Sequence, residues 1–247
     1  PIRRQRQMCI RDRFVRGVPN VKKAFAKVWE TNDLLTSFDG VSLWRPWNID
    51  PSWKTQSGQA WFHIDQHPIS KPGKQCIQGL INLLPTSKEI GGNVVIPKSH
   101  NFFKDIPEEY KERVERLPLD IDHFRFPHDD PKLSSEPAVM AHMEPGDMLL
   151  WDSRTIHCSS SGSSLPEGTN DLIRAASLIC MMPKELSSKE ILEKRIHAAE
   201  NLVSTTNWTN DFRNADEFPI ILEAENRDQY KWPKKPNLSD YQKELIA

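Results

Sequence analysis

The sequence is poor in the features that mark several large classes of protein. Its 247 residues include four cysteines, which lack the close pairs typical of thiolate metal clusters or disulfide-rich domains: Cys9, Cys76, Cys158 and Cys180. The 33 basic and 34 acidic residues leave a net charge of −1, which gives no general attraction to nucleic acid or anionic membranes. No apolar run approaches the roughly 20 residues of a membrane-spanning helix, and no secretory signal is visible. We therefore expect a cytoplasmic protein in a reducing compartment, with neither nucleic acid nor membrane as a partner.

The composition favours a globular core preceded by an unusual head. Eight Trp and ten Phe supply large apolar side chains for a core. Residues 1–13 contain five Arg without apolar periodicity and resemble translated adapter sequence, so we interpret them as a non-native or disordered head rather than a nucleic-acid-binding arm. We expect a core over residues 14–183 that begins with a helix. Residues 184–247 are predicted to form a C-terminal helix and an irregular tail that packs on this core.

Short β-like segments separated by Gly and Pro dominate the middle of the chain. Helical spacing of apolar residues predicts helices over 19–38 and 187–203. Segments with strand patterns lie between them at 61–65, 76–85, 91–97, 138–162 (two strands around the turn 144–147) and 172–182. This order predicts a mainly β fold with flanking helices, of the double-stranded β-helix type, which is a jelly-roll, cupin-like barrel.

Three residues have the chemistry of a metal site. His63 and Asp65 are two positions apart on a predicted strand, so both side chains leave the same face. His157 follows the apolar strand that ends near Trp151. Two imidazoles and one carboxylate form the facial triad of non-haem Fe(II) oxygenases. A His-x-Asp pair alone also occurs by chance, and the other interpretation of His63 is an ordinary core or surface histidine.

Three longer motifs together resemble the phytanoyl-CoA dioxygenase family of Fe(II)/2-oxoglutarate-dependent oxygenases. They are WFHIDQHP, GGNVVIPKSHNFF and EPGDMLLWDSRTIHCSSSG, and the resemblance covers roughly residues 30–183. The His-x-Asp of the family falls on His63 and Asp65, and its distal histidine falls on His157. The resemblance therefore implies that these three residues hold Fe(II), with 2-oxoglutarate and O2 as cosubstrates. The family's Gly-rich and turn motifs fall on Gly91, Gly92, Pro97, Ser99, His100, Pro145, Gly146 and Asp147.

The resemblance also implies a residue that binds the far carboxylate of 2-oxoglutarate, and Arg174 is at the matching position. A guanidinium forms a bidentate, charge-assisted pair with a carboxylate. The 17 residues from His157 to Arg174 exceed the usual family spacing, and the extra ones fall in a predicted loop, GSSLPEGTNDL. The alternative role of Arg174 is a structural ion pair. Gln78 and Asn82 share one face of their strand, where they either bind 2-oxoglutarate or substrate or are solvated on the outside.

The expected activity is hydroxylation of a small organic molecule with release of succinate and CO2. The carboxylate of Asp65 favours hydroxylation, because related halogenating enzymes have a small residue at this position. Two alternatives stay open, which are a non-catalytic metal- or ligand-binding jelly-roll protein and a cupin-type dioxygenase that does not use 2-oxoglutarate. The sequence identifies neither the substrate nor the oligomeric state. Several histidines show no partner pattern and are interpreted as ordinary: His123, His128, His142 and His197.

Overall fold

A computed structural model describes residues 14–54, 61–200, 203, 205–212 and 237–247. The predicted head, residues 1–13, and most of the predicted irregular tail lie outside the described residues. The chain divides into two compact units. The described residues of the larger unit lie within Leu43–Ala176, and the smaller unit combines residues 14–42 with the described residues from Ser177 onward. The domain boundary expected near residue 183 stays a prediction.

The described residues form a mainly β protein with short helices. The helices are α1 Pro19–Trp29, α2 Ile106–Glu109, α3 Lys111–Glu115, α4 Lys189–Glu200 and α5 Asp240–Glu244. The strands are β1 Leu34–Thr36, β2 Val41–Trp44, β3 His63–Asp65, β4 Ile77–Asn82, β5 Gly91–Val95, β6 His123–Arg125, β7 Val139–Met140, β8 Met148–Asp152, β9 His157–Ser161 and β10 Arg174–Pro183. Each segment with a predicted strand contains one, the segment 138–162 holds three strands rather than two, and β1 and β6 were not predicted.

One antiparallel sheet of the larger unit carries the His-x-Asp motif. Its strand order is β6-β3-β9-β5-β7, so β3 lies between β6 and β9. Side chains alternate along β3, and the central Ile64 is fully buried in an apolar cluster with Phe62, Ile96 and Phe124. His63 and Asp65 therefore leave the opposite face of the sheet. Burial of Ile64 fixes the register, because a slip by one residue would turn both polar side chains into this apolar cluster.

A second antiparallel sheet supplies the other predicted site residues. Strands β4 and β8 pair from Ile77↔Asp152 to Ile81↔Met148. The start of β10 adjoins the end of β4, where the Leu83 amide donates to the Ala175 carbonyl. Two antiparallel sheets with these strand orders confirm the predicted jelly-roll class. Residues 162–173, which include the predicted loop insertion, contain neither helix nor strand.

Two glycines of the recognised motifs have backbone angles that favour glycine. Gly91 has φ of 97°, and a Cβ at this position would lie 2.1 Å from the Ser160 carbonyl oxygen of the neighbouring strand. Gly146 has φ of 95° in the turn that precedes β8. A side chain at either position would be strained, and at Gly91 it would also separate β5 from β9. These requirements account for the glycines in both motifs.

In the smaller unit, the first helix is shorter than predicted. It was expected over 19–38, but it ends at Trp29 because Glu30 adopts the left-handed conformation with φ of 57°. The next segment instead forms β1, which pairs with the end of β10 from Leu34↔Pro183 to Thr36↔Met181. Tertiary pairing thus overrides the helical spacing after residue 30. Within the described parts of both units, no helix has the length and apolar character needed to cross a membrane.

Candidate metal centre

Two histidines present the same nitrogen to one point in the larger unit. His63 and His157 are directly paired across β3 and β9, and their ring centroids lie 4.4 Å apart. In each ring Nδ1 bonds to the backbone carbonyl two residues earlier, that of Trp61 and that of Thr155, at 2.8 Å in both cases. A carbonyl can only accept, so Nδ1 carries a proton, and in the neutral ring Nε2 therefore keeps its lone pair. This is the arrangement of histidines that bind a metal through Nε2.

Asp65 lies between the two Nε2 atoms. Its Oδ1 is 3.5 Å from Nε2 of His63, and its Oδ2 is 3.3 Å from Nε2 of His157. Ligand atoms at right angles around one small cation are separated by about 3 Å, so these separations suit a shared ion. The two histidine side chains are only 6% and 5% exposed, which limits access by water. The structure therefore brings the three predicted ligands together.

The protonation states also suit metal binding. Burial lowers the pKa of His63 from 6.5 to about 4, although the charge of Asp65 opposes the change. Burial alone would raise the pKa of Asp65, but the neighbouring imidazoles of His63, His123 and His157 stabilise the ionised carboxylate more strongly, so this pKa lies well below its usual range. At neutral pH His63 is neutral and Asp65 is ionised. These are the forms that bind a divalent cation.

The side chain of Gln78 contacts the carboxylate of Asp65 and is not solvated on the outside of the sheet. Its Nε2 donates to Oδ2 of Asp65 at 2.9 Å, while its buried Oε1 has no hydrogen-bond partner among the described residues. Trp151 lies opposite Gln78 in the sheet, and its ring centroid is 5.5 Å from that of His157. Gln78 thus faces the interior, as the sequence analysis required for a site residue. Its role toward 2-oxoglutarate stays a prediction.

Arg174 and Asn82 lie at the adjoining ends of β10 and β4. Arg174 is 2% exposed, its Cζ lies 4.5 Å from the ring centroid of Trp44, and burial lowers its pKa to about 10. Its Nε and Nη1 have no partner within the part of the chain that the structure describes, and no ion pair of Arg174 is found there. Asn82 is fully buried, and its Oδ1 also lacks a described partner. Within the described part of the chain, neither residue forms a hydrogen bond or an ion pair with the three candidate ligands.

His123 is a site residue that the sequence analysis missed. It had been interpreted as ordinary, but its Nδ1 lies 3.4 Å from Oδ1 of Asp65 and its ring centroid lies 4.3 Å from that of His63. Ligand atoms of His63, Asp65 and His123 all lie within 4.8 Å of one another. The contact depends on the pairing of β6 with β3, 58 residues apart in the chain. Local sequence around His123 carries no signal of that pairing.

The family model for phytanoyl-CoA dioxygenase matches residues 42–165, which is half of the chain. The chain belongs to the phytanoyl-CoA dioxygenase family. This family consists of Fe(II)/2-oxoglutarate-dependent oxygenases, so the predicted family, metal and cosubstrate are confirmed at that level. The donor set of two neutral imidazoles and one carboxylate fits Fe(II). The buried, unpartnered donors of Arg174 fit an anion such as a carboxylate of 2-oxoglutarate.

Curated relatives extend the family comparison. "Ava biosynthesis cluster protein O" of Aspergillus versicolor is 34% identical over 199 residues, covering 77% of this chain and 60% of that protein. A relative from Dictyostelium discoideum is 22% identical over 225 residues, covering 78% of this chain and 60% of that protein. The chain therefore spans 60% of the length of these relatives.

One solved structure illustrates the limited likeness of this chain to known structures. The non-haem α-ketoglutarate-dependent epimerase SnoN from nogalamycin biosynthesis is 15% identical, with a TM-score of 0.42. The match covers 69% of this chain and 55% of SnoN.

Proposed function

We propose that this member of the phytanoyl-CoA dioxygenase family is an Fe(II)/2-oxoglutarate-dependent dioxygenase that hydroxylates a small organic molecule and releases succinate and CO2. The observation that carries the proposal is the convergence of two Nε2 atoms on one carboxylate. Each imidazole is fixed by a bond from Nδ1 to a backbone carbonyl, and the carboxylate is held by Gln78. The site is therefore organised before any metal binds.

Each proposed ligand follows from its place in the sheets. His63 and His157 would bind Fe(II) through Nε2, and Asp65 would supply the one anionic ligand. Bound Fe(II) and 2-oxoglutarate supply the oxidising chemistry, and the protein supplies position and exclusion of water. A set of only three protein ligands leaves positions for the cosubstrate and oxygen.

Arg174 would bind the far carboxylate of 2-oxoglutarate. It is a buried cation with two N–H groups that have no described partner, and such groups are rare in folded proteins unless a ligand satisfies them. An anion at this position would offset the cost of burying the charge. Asn82 lies at the adjoining strand end, where its Nδ2 donates to Thr86 and to the Met143 carbonyl. Its Oδ1 has no partner among the described residues and would accept a hydrogen bond from a donor group of the substrate.

The chemical class of the substrate is proposed more coarsely. Asp65 occupies the position at which related halogenating enzymes have a small residue. Its carboxylate leaves no place for a halide ligand, so hydroxylation is favoured over halogenation. The name of the Aspergillus versicolor relative assigns that protein to a biosynthesis cluster. By similarity, a biosynthetic small molecule is the substrate class that we propose for this chain.

The test needs no substrate. Apoprotein would be titrated anaerobically with Fe(II) and then with 2-oxoglutarate while the visible spectrum is recorded. We expect a weak charge-transfer band only when both are present, and we expect its loss in His63→Ala, Asp65→Ala and His157→Ala. The exposed His128, changed to Ala, serves as the matched control and should keep the band. Iron binding without a band would favour a cupin-type enzyme or a binding protein, and no iron binding would overturn the ligand assignment.

A further inference from the structure

We infer that His123 is a positioning residue of the metal centre, which holds Oδ1 of Asp65 while Gln78 holds Oδ2. The inference rests on the proposed function, because it concerns how the single carboxylate ligand is kept in place. In the structure each oxygen of Asp65 has its own donor, Nδ1 of His123 at 3.4 Å and Nε2 of Gln78 at 2.9 Å. The two donors come from different strands on different sheets. Together they restrain rotation of the carboxylate about its Cβ–Cγ bond.

The backbone places His123 where this contact requires it. Strands β3 and β6 pair antiparallel with His63↔Arg125, Ile64↔Phe124 and Asp65↔His123 in register. Directly opposite residues of an antiparallel pair project from the same face with Cβ atoms about 5 Å apart. Phe124 is buried on the opposite face in the same apolar cluster as Ile64, which fixes the register from that side. The sheet thus directs His123 toward Asp65.

His123 differs from the two proposed histidine ligands in how it uses its ring. His63 and His157 bond to backbone carbonyls through Nδ1 and keep Nε2 for the metal. His123 instead turns Nδ1 toward the carboxylate, and its side chain is 40% exposed, whereas those of the two ligands are 6% and 5% exposed. A proton on Nδ1 makes His123 a donor to Asp65. His123 therefore lies on the solvent side of the cluster.

The close grouping of His63, Asp65 and His123 also permits a different role, in which His123 is itself a ligand. The coordination count argues against it. His63, Asp65 and His157 already supply the three protein ligands of a facial triad, and the remaining positions are needed for 2-oxoglutarate and oxygen. A third imidazole would occupy one of them. A hydrogen bond to the carboxylate uses His123 without blocking a position.

The experiment measures Co(II) binding to apoprotein, with the visible spectrum of bound Co(II) as a second readout. Loss of an outer partner of a metal ligand commonly costs about 10- to 100-fold in metal affinity. We expect His123→Leu to weaken Co(II) binding within that range and to leave the spectrum at saturation unchanged in band position. His123→Asn should restore the affinity, because the Asn amide nitrogen can donate where Nδ1 does. His128→Ala is the control and should bind as the wild type does.

The outcomes separate this inference from the proposed function. If wild-type protein binds neither Co(II) nor Fe(II) with 2-oxoglutarate, the proposed function fails. If wild-type protein binds both and His123→Leu binds Co(II) equally well, only the positioning role is wrong. A shifted Co(II) spectrum in His123→Leu, without rescue by Asn, would identify His123 as a ligand and overturn the role proposed here. Thermal unfolding of each apoprotein verifies that the variants are folded, and the Asn variant provides the comparison if the Leu variant is not.

Discussion

Arg195 in the smaller unit and Arg174 in the larger unit are both buried, but their guanidinium groups differ in how they are satisfied. In the smaller unit, Arg195 is 1% exposed and its Cζ lies 4.8 Å from the ring centroid of Phe38. Its Nε, Nη1 and Nη2 donate to four backbone carbonyls, those of Thr36, Thr209, Leu245 and Ile246. In the larger unit, Arg174 is 2% exposed and also lies over an aromatic ring, but its Nε and Nη1 have no partner among the described residues.

The difference between these surroundings distinguishes a structural cation from a binding cation. Both groups carry the cost of burial, which lowers the pKa of Arg195 to about 9 and that of Arg174 to about 10. Around Arg195 the protein itself offsets that cost with oriented carbonyl dipoles. Around Arg174 it does not, so a ligand must do so or the charge stays uncompensated. The same residue type thus stabilises one unit and, in the function that we propose, binds a ligand in the other.

Methionine substituted at each of the two arginines tests this comparison, and the largest effect should be the loss of stability caused by Arg195→Met. Arg195→Met leaves four backbone carbonyls without their charged donor, and hydrogen bonds to charged groups contribute about 1.5 to 3 kcal/mol each. Because the contributions are not additive and removal of a buried charge recovers desolvation, we expect a loss of about 3 kcal/mol in the free energy of unfolding. Urea denaturation of the apoprotein measures it.

Arg174→Met is the matched control for that stability change. Replacement of an uncompensated buried charge by an apolar side chain of similar length is commonly neutral or stabilising. We therefore expect the apoprotein to be at least as stable as the wild type. A loss at Arg174 as large as that at Arg195 would show that both guanidinium groups are structural, and the comparison would fail.

The next largest effect should be on the affinity for 2-oxoglutarate. Truncation of one partner of a buried, hydrogen-bonded charge pair costs 2 kcal/mol or more, which is about a 30-fold change in affinity. We expect Arg174→Met to weaken 2-oxoglutarate binding by at least about 30-fold while Fe(II) binding is retained. The charge-transfer band, titrated with 2-oxoglutarate at saturating Fe(II), measures the change. Unchanged affinity would mean that another cation binds the far carboxylate.

Much of the metal centre could be predicted because its signals are local. Period-two spacing puts His63 and Asp65 on one face, and the turn containing Gly146 introduces the strand that leads to His157. Family resemblance then gave each of these residues an expected role. Arg174 lies within an apolar segment, LIRAASLIC, and the structure finds this residue 2% exposed.

The rest could not be predicted, because it depends on contacts between distant segments. The contact of His123 with Asp65 requires β6 to pair with β3, and the contact of Gln78 with Asp65 joins two sheets. The prediction that the first helix continues after Trp29 was wrong, because Glu30 in the left-handed conformation ends the helix and the following residues pair with β10. Local helical spacing does not reveal a partner strand about 150 residues away.

The smallest effects are expected at two buried glutamines of the larger unit. Like the two arginines, they differ in whether the protein satisfies all of their hydrogen-bonding groups. Gln66 is satisfied at both ends, since its Nε2 donates to the carbonyls of Lys71 and Gly73 and its Oε1 accepts from Ser153. Gln78 donates to Asp65, and its Oε1 has no described partner. The first amide organises a loop, and the second holds a proposed ligand.

Leucine at each position should therefore affect different properties. Gln78→Leu removes one donor of the carboxylate, and we expect about a 10-fold loss of Co(II) affinity with little change in stability. Gln66→Leu leaves two carbonyls and a hydroxyl without their hydrogen-bond partner, and we expect it to lower the free energy of unfolding by about 2 kcal/mol. The folded Gln66→Leu protein should bind Co(II) nearly as the wild type does. Titration with Co(II) and urea denaturation of both variants measure the two effects. If Gln66→Leu weakens Co(II) binding as much as Gln78→Leu does, the carboxylate is held by the loop as a whole, and hydrogen-bond satisfaction no longer separates the binding residue from the structural one.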